Sequence, residues 1–510
     1  MEYSAVVAAK PAICHCQNEL ERDMMDLKKP TVEKGQRDGE NLDLKRSVLR
    51  HLDEAEENAF HLKVMFTSGM GFFTDAYDLW IIGVALLFIV PQFHPSALWI
   101  GILTSASLFG AFVGPLIFGP MADMFGRKYV YGVEMLVLAI GSIASALAPT
   151  FAFLVVMRIV MGLGIGGDYP TSATIMSEYS NAKNRGKLVS MVFAMQGAGI
   201  IAGIVLAFGL IGMHIGSGII WRIMLGAGAI PAIAVIYFRR TILETPRYSL
   251  AKGDMETTRK AVKHASGVDI SIDGRYRDER GSYAMLRQYL PLLAGTSLTW
   301  MLMDMSYYGT GIFTPTLVTL FGFSGALASV RASALIFALG AVPGYIFAVA
   351  LMDREGRRLM QASGFFIIGI LFLLLFAMGG ALSAFEGAFL PIYALTFFFT
   401  NFGPNTTTFV YPVEIFPTKI RATSHGISAS VGKLGAAIST LFFPTMLGML
   451  GRYNIMAFLA LLAMAGGILT LVLLPETKGR SLEMTSREHE LDERYAIGQK
   501  GNADIQAKMH

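Results

Sequence analysis

The chain has 510 residues, of which 53% are hydrophobic and only 16% charged, with a formal net charge of +4. A mean hydropathy of +0.51 is too high for several water-soluble domains and points to a polytopic membrane protein. Long continuous apolar runs exclude an outer-membrane barrel, whose strands are short and alternating. The only cysteines, Cys14 and Cys16, lie in a hydrophilic leader, which excludes a disulfide framework or a four-ligand zinc site made by this chain alone.

Residues 1–61 are polar, and LKRSVLRHLDEAEEN within them reads as a short amphipathic helix ahead of the membrane. The leader lacks the apolar core and cleavage site of a signal peptide, so it is expected to stay attached and cytosolic. About twelve runs of spanning length follow. They fall near 62–91, 97–120, 129–148, 151–178, 187–210 and 218–238, then 289–319, 328–352, 360–381, 385–414, 424–447 and 453–474. The expected fold is an all-α membrane protein with a leader (1–61), a six-helix half (62–238), a cytosolic central loop (239–288), a second six-helix half (289–474) and a tail (475–510).

Orientation follows from Lys and Arg in the short connections, which are retained on the cytosolic side. Arg127 and Lys128 follow the second run, Lys183, Arg185 and Lys187 the fourth, and Arg239, Arg240 and Arg247 the sixth. Arg354, Arg357 and Arg358 follow the eighth, and Lys419 and Arg421 the tenth, whereas the opposite connections, such as PQFHPSAL, are almost bare of positive charge. Both termini and the central loop are therefore expected in the cytosol.

The halves repeat each other. Asp123, Gly126 and Arg127 recur at the same spacing as Asp353, Gly356 and Arg357, and Glu178 stands seven residues before Arg185 as Glu414 stands seven before Arg421. Counting from these anchors aligns Asp75 with Asp304, Tyr169 with Asn405 and Gln196 with Lys433, to within one residue. Parallel repeats put a substrate site where the halves meet at mid-depth.

Several polar groups contradict their apolar surroundings. The run RIVMGLGIGGDYPTSATIMSE carries Arg158, Asp168 and Glu178 among glycines, and Asp168 has no partner nearby in sequence. A charge at the middle of a membrane costs roughly 2.5 to 3.5 kcal/mol on insertion scales, so an unpartnered carboxylate there reads as functional. Asp75 and Asp78, three residues apart, share one helix face and cannot both ionise cheaply in low dielectric, which suits a group that loads and releases a proton. Trp300, Asp304 and Tyr308 follow at steps of four, and an indole, a carboxyl and a phenol on one stripe make an oxyanion site when the carboxyl is protonated. Lys433, within the eleventh run, is placed to neutralise a bound anion or to pair with Asp304.

The repeated Asp123, Arg127, Asp353 and Arg357, with Glu178, Arg185, Glu414 and Arg421, suit salt bridges that hold one conformation and break in another. For Arg158 and Glu134, both buried by position, each other and backbone carbonyls remain open as partners. No G-x-x-x-x-G-K-[ST] loop is present, so the energy source is expected to be an ion gradient. The glycine-rich GLGIGGD lies within a spanning run, where a nucleotide fingerprint does not belong.

Twelve spans in two halves, the doubled D-x-x-G-R segment, LETPRY at 243–248 and LPETKGRSLE at 474–483 resemble the major facilitator superfamily. Within it, GGDYPTSATIMSE, FAMQGAG, TWMLMDMSYYG and NFGPNTTTF resemble the proton-coupled inorganic phosphate symporters of fungi and plants. The resemblance implies symport of phosphate with protons by alternating access, in the plasma membrane. It names Asp168 for the proton path, beside Asp75 and Asp78, and Tyr169, Gln196, Trp300, Asp304, Tyr308 and Asn405 as phosphate ligands. Phosphate, protons and the lipid bilayer are the expected partners. No enzyme activity, cofactor, metal or nucleic-acid partner is expected, and one chain is expected to suffice. The alternatives are another small solute (an organic anion, a phosphate ester or a sugar) and a nutrient sensor built on the same fold. Large organic phosphates are disfavoured because no arginine stands in runs seven, ten or eleven away from their ends.

Overall fold

The computed structural model describes residues 44–213, 215–270, 286–323, 325–380, 388–488 and 490. Cys14, Cys16, most of the leader, 271–285 of the central loop and the last part of the tail lie outside the described residues. Among the described residues there is no β-strand, and nine helices, counting stacked segments as one, are long and apolar enough to cross a membrane.

The amphipathic segment of the leader forms α1 (44–53) on one face of the molecule, here the inner face. The first half follows as α2 (Ala59–Phe93), α3 (Ala97–Phe125), α4 (Arg127–Val130), α5 (Val133–Ala146), α6 (Phe151–Tyr179), α7 (Arg185–Gly212), α8 (Ser217–Gly226) and α9 (Ala229–Arg240). Here α4 with α5, and α8 with α9, each make one passage. On the inner face the central loop carries α10 (Pro246–Lys252) and α11 (Met255–Ser266).

The second half contains α12 (Leu290–Ile312), α13 (Thr314–Leu320), α14 (Ala326–Ile336), α15 (Val342–Glu355), α16 (Arg357–Ala377), α17 (Phe389–Phe402), α18 (Pro404–Ile415) and α19 (Arg421–Leu473). A π-helical turn, Phe337–Ala341, joins α14 to α15. The 53-residue α19 is two passages meeting at Gly451, where φ is 80°. With α12 and α13, and α17 and α18, each taken as one broken passage, the helices are consistent with the twelve apolar runs. The short α20 (Leu482–Thr485) returns to the inner face.

Helix starts obey local chemistry. The Asn58 side chain accepts from the amides of Phe60 and His61, and that of Thr150 from Phe153, filling donors that a first helical turn leaves orphaned. The glycines of α6 allow close crossings. A Cβ at Gly162 would lie 2.0 Å from the Ser107 carbonyl oxygen and one at Gly164 2.4 Å from that of Glu134, so α3 and α5 lie directly on α6. Between the halves, α3 packs along α19 and α7 along α15.

On the inner face the sequence repeat becomes a repeated charge network. Glu178 accepts from Arg127 of its own half at 3.0 Å and from Arg421 of the other at 2.9 Å. Glu414 accepts from Arg357 of its own half at 2.7 Å and from Arg185 of the other at 3.3 Å. All six side chains are buried. Asp123 accepts from the amides of Ala422 and Thr423 at the start of α19, and Asp353 from those of Gly186 and Lys187 at the start of α7. Each acid thus sits at a helix N-terminus of the opposite half, where an anion is favoured.

The LETPRY and LPETKGR segments complete the network. Thr245 donates to Glu178 and Thr477 to Glu414, each at 2.5 Å. Glu244 caps the amides of Arg127 and Lys128, and Glu476 those of Arg357 and Arg358. Gly126 (φ 109°) and Gly356 (φ 93°) are required at these turns, because a Cβ would also lie within 2.4 and 2.5 Å of the capping carboxylates. Arg247 ties three segments together, donating to Asp53 of α1, Glu483 of α20 and the Glu178 carbonyl. The inner face is closed.

Candidate functional site

At mid-depth, α2, α6, α7, α12, α15, α18 and α19 bring together the polar residues that the repeat singled out. The Tyr169 hydroxyl donates to Asp75 Oδ2 at 2.6 Å. Lys433 Nζ donates to the Tyr308 hydroxyl at 2.5 Å and lies 3.4 Å from Asp304 Oδ2, an ion-pair distance without hydrogen-bond alignment. The same ammonium stands 4.6 Å from the centroid of the Tyr169 ring and 4.3 Å from that of Tyr308, within cation–π range of both halves. The Trp300 ring lies 6.0 Å from that of Tyr169 and edge-on to His425. Gln196 and Asn405 complete the ring of polar groups, joined through the hydroxyl of Tyr345.

All of these side chains are buried. Asp75 Oδ1, both carboxylate oxygens of Asp304 and Gln196 Nε2 have no hydrogen-bond partner, although buried polar groups ordinarily find one. A small cavity of about 40 Å³ borders this ring on the side away from the closed inner face, lined by Ala76, Trp80, Gln196, Ile200, Tyr307 and Tyr308 among others. The centre thus offers an ammonium, phenols and a free amide donor beside two carboxyls. That donor set suits an oxyanion once a proton offsets a carboxylate.

The other acids are placed differently. Asp168 does not join the central ring. Contrary to its unpartnered appearance in the sequence, it pairs with Arg239 at 2.7 Å and accepts from Ser172 at 2.7 Å. Arg239 also bonds Glu134 at 3.0 Å and stacks 4.1 Å from the centroid of the Tyr131 ring, so two carboxylates share one guanidinium inside the first half. Arg239 is fully buried, which corrects its assignment to the connection after the sixth run. Asp78, on the same helix face as Asp75, instead bonds Arg158 at 2.5 Å. Arg158 and Glu134 therefore take separate ionic partners rather than each other.

Sequence reading missed Arg239, Tyr345 and His425. Arg239 follows directly on an apolar run beside Arg240 and reads as a boundary charge. Tyr345 and His425 are single polar rings in apolar runs, with no counterpart across the repeat to raise them above packing residues. The aligned pair Tyr169 and Asn405 also diverges in bonding, since Tyr169 donates to Asp75 whereas Asn405 donates to Asn401 and Tyr345 and not to Asp304.

Comparison with known proteins bears on this arrangement. The family model described as sugar (and other) transporter matches residues 45–489. The chain belongs to this transporter family. It is an integral membrane transporter and not an enzyme. Among its relatives is a probable inorganic phosphate transporter 1-6 of Arabidopsis thaliana, 36% identical over 87% of this chain and 97% of the relative. An inorganic phosphate transporter 1-6 of Oryza sativa subsp. japonica is 37% identical over 88% of this chain and 96% of the relative. Of solved structures, the major facilitator superfamily proton:xylose symporter XylE, bound to 6-bromo-6-deoxy-D-glucose, superposes with a TM-score of 0.71. It is 17% identical, over 83% of this chain and 98% of XylE. That likeness establishes the fold as the major facilitator fold.

Proposed function

We propose that the chain carries inorganic phosphate across the plasma membrane together with protons, by alternating access. The observation that supports this most directly is the buried Lys433, hydrogen-bonded to Tyr308 and ion-paired with Asp304, beside a free amide donor on Gln196. Tyr169, Trp300, Asp304, Tyr308, Gln196, Asn405 and Lys433 are the ligand set. The relatives named as inorganic phosphate transporters supply the substrate.

Charge counting gives the coupling. Asp75 and Asp304 stand beside a single ammonium, so a phosphate anion enters against a net negative centre when both acids are ionised. Like charges about 4 Å apart cost about 4 kcal/mol at an effective dielectric of about 20. A proton on Asp75 or Asp304 removes that cost and makes anion and proton arrive together. Asp168, with Glu134 on the shared Arg239, forms a second proton-exchanging group inside the first half. Asp78, held by Arg158, packs α2 on α6. The inner network of Glu178, Glu414 and their arginines is the gate that must open for release, and Asp123 and Asp353 belong to it. In this orientation the inner face, both termini and the central loop are cytosolic, and a single chain in the bilayer is the working unit, its six-helix halves rocking about the site.

The test is uptake of radiolabelled phosphate by purified protein in vesicles, with and without an imposed pH gradient. Gradient-stimulated uptake blocked by arsenate and not by sugars or organic anions is expected. Absence of uptake in both conditions overturns the reading. Full accumulation by Asp168→Asn removes Asp168 from the proton path.

A further inference from the structure

Tyr345 belongs to no motif and has no counterpart in the repeat, yet its hydroxyl joins the halves at the depth of the site. It lies on α15, one turn beyond the π-helical Phe337–Ala341, a departure from α geometry that favours functional positions. Gly344 presses this helix onto α17, where a Cβ would lie 2.5 Å from the Phe398 carbonyl oxygen and 3.1 Å from Asn401 Cβ. On the other side the Tyr345 ring meets Phe193 of α7 edge-on, with centroids 6.1 Å apart. The side chain is only 1% exposed, so its hydroxyl is fixed from both halves.

The hydrogen bonds through that hydroxyl have a direction, and a backbone group sets it. The Phe397 carbonyl can only accept, so at 2.7 Å it takes a hydrogen from Asn401 Nδ2. This orients the Asn401 amide and leaves its Oδ1 facing Asn405, whose Nδ2 donates to it at 2.7 Å. The second hydrogen of Asn405 Nδ2 goes to the Tyr345 oxygen at 3.1 Å. Having accepted, the Tyr345 hydroxyl gives its own proton to Gln196 Oε1 at 2.8 Å. Turning the Gln196 amide over would set its NH₂ against the hydroxyl, whose proton would then have to turn from Gln196 to the neighbouring Tyr307 hydroxyl. The observed bonds therefore place the Gln196 carbonyl toward Tyr345 and leave Nε2, buried and unpartnered, as a donor at the centre.

We infer that Tyr345 is a specificity-determining positioning residue: through a directional relay from the Phe397 carbonyl, it holds Gln196 so that the site receives an amide N–H and not a carbonyl oxygen. An oxyanion accepts from the N–H and is repelled by the carbonyl, so the relay selects for an acceptor-rich anion. The inference rests on the phosphate reading proposed above. Because the relay starts in the second half and ends in the first, the donor is set only while α15 and α7 stay together.

The test measures phosphate uptake kinetics in vesicles for the wild type, Tyr345→Phe, Gln196→Ala and the double variant, with thermal unfolding confirming that each is folded. Tyr345→Phe keeps the ring and removes only the relay. Its KM for phosphate is expected to rise on the order of tenfold, the worth of one hydrogen bond to a charged group, with a smaller effect on kcat. In the Gln196→Ala background the same change is expected to add nothing further, because the group it orients is gone. Asn401→Ala, which breaks the relay two links away, is expected to raise KM in the same direction and to lose that effect in the Gln196→Ala background. A packing role would instead add its effect in both backgrounds. Wild-type uptake with an unmoved KM in Tyr345→Phe, or an equal fold-change in the two backgrounds, overturns the role of Tyr345 alone. Failure of the wild type to take up phosphate overturns the phosphate reading with it.

Discussion

Arg421→Ala is the sharpest perturbation of the inner gate, because it removes one cross-half contact and spares the rest of the cluster. Arg421 bonds Glu178 at 2.9 Å with both side chains fully buried, while Glu178 keeps Arg127 at 3.0 Å and Thr245 at 2.5 Å within its own half. The open form loses little, since Arg421 there regains water. A buried hydrogen bond between charged groups contributes about 1.5 to 3 kcal/mol net. Losing it from the closed form alone lowers the closed-to-open ratio by roughly 10- to 150-fold. Spin labels at Lys183 and Arg354, exposed residues of opposite halves on the inner face, report the gap by double electron resonance. Expected is growth of a longer-distance population in Arg421→Ala, and a larger one in Glu178→Gln, which weakens the hold on guanidinia from both halves. A distance distribution in Arg421→Ala identical to the wild type would refute the reasoning, since it would mean that the cross-half ion pair does not bias the equilibrium.

The remaining predictions concern other charges. Gly71→Ala puts a Cβ 1.7 Å from Asp168 Oδ2 and 2.9 Å from Arg239 Nη2, so it should force the pair apart and reduce gradient-driven phosphate uptake by more than about tenfold; uptake at wild-type rate would show that the pair has no part in coupling. Arg158→Ala strands the buried Asp78 and should destabilise the protein by about 3 to 5 kcal/mol, with much of the loss recovered by Asp78→Ala/Arg158→Ala, as read from chemical or thermal unfolding in detergent. Burial by itself would push the Glu483 carboxyl up, but the Arg247 guanidinium overrides burial and holds it down to about 2. A carboxylate so depressed stabilises the tail contact at every pH above its ordinary value of 4.5 and loses that contribution only as pH falls through about 2. Amide hydrogen exchange over 482–488 should therefore show the same protection at about pH 8 and about pH 5, and release between those values would contradict the assignment.

What could be read from the sequence divides along a physical line. The apolar helices and the charged residues of the inner-face network were visible because length, hydropathy and a doubled D-x-x-G-R spacing are properties of the chain itself. Glu178 and Glu414 could be named from spacing alone, but not which arginine each holds, because Arg421 and Arg185 reach across from the other half. The same reason hid the partner of Asp168: Arg239 is distant in sequence, and only the packing of α9 against α5 brings it beside Glu134 and the acid. The central residues on α12 were legible as a stripe at steps of four. Tyr345 was not, since a phenol in an apolar run looks like packing until its hydroxyl is seen to join Gln196 and Asn405.

The gate and the centre differ in symmetry, and the difference bears on mechanism. At the inner face each half contributes one glutamate, which holds one arginine of its own half and one of the other, so the closed state is held by two equivalent clamps. At the centre the equivalence breaks: the first half presents Asp75 bonded by Tyr169, and the second presents Asp304 beside Lys433. Symmetric clamps let both halves release together. An asymmetric centre lets the two ligands take different sides. The ammonium lies on the second half, where an anion would bind, whereas Asp75, with a free oxygen and no bonded cation of its own, lies on the first. On the reading proposed above, protonation of Asp75 and binding of the anion at Lys433 act on opposite halves across one interface. On that same reading, a proton alone takes the centre from one net negative charge to none, so protonation is what admits the anion rather than a consequence of it.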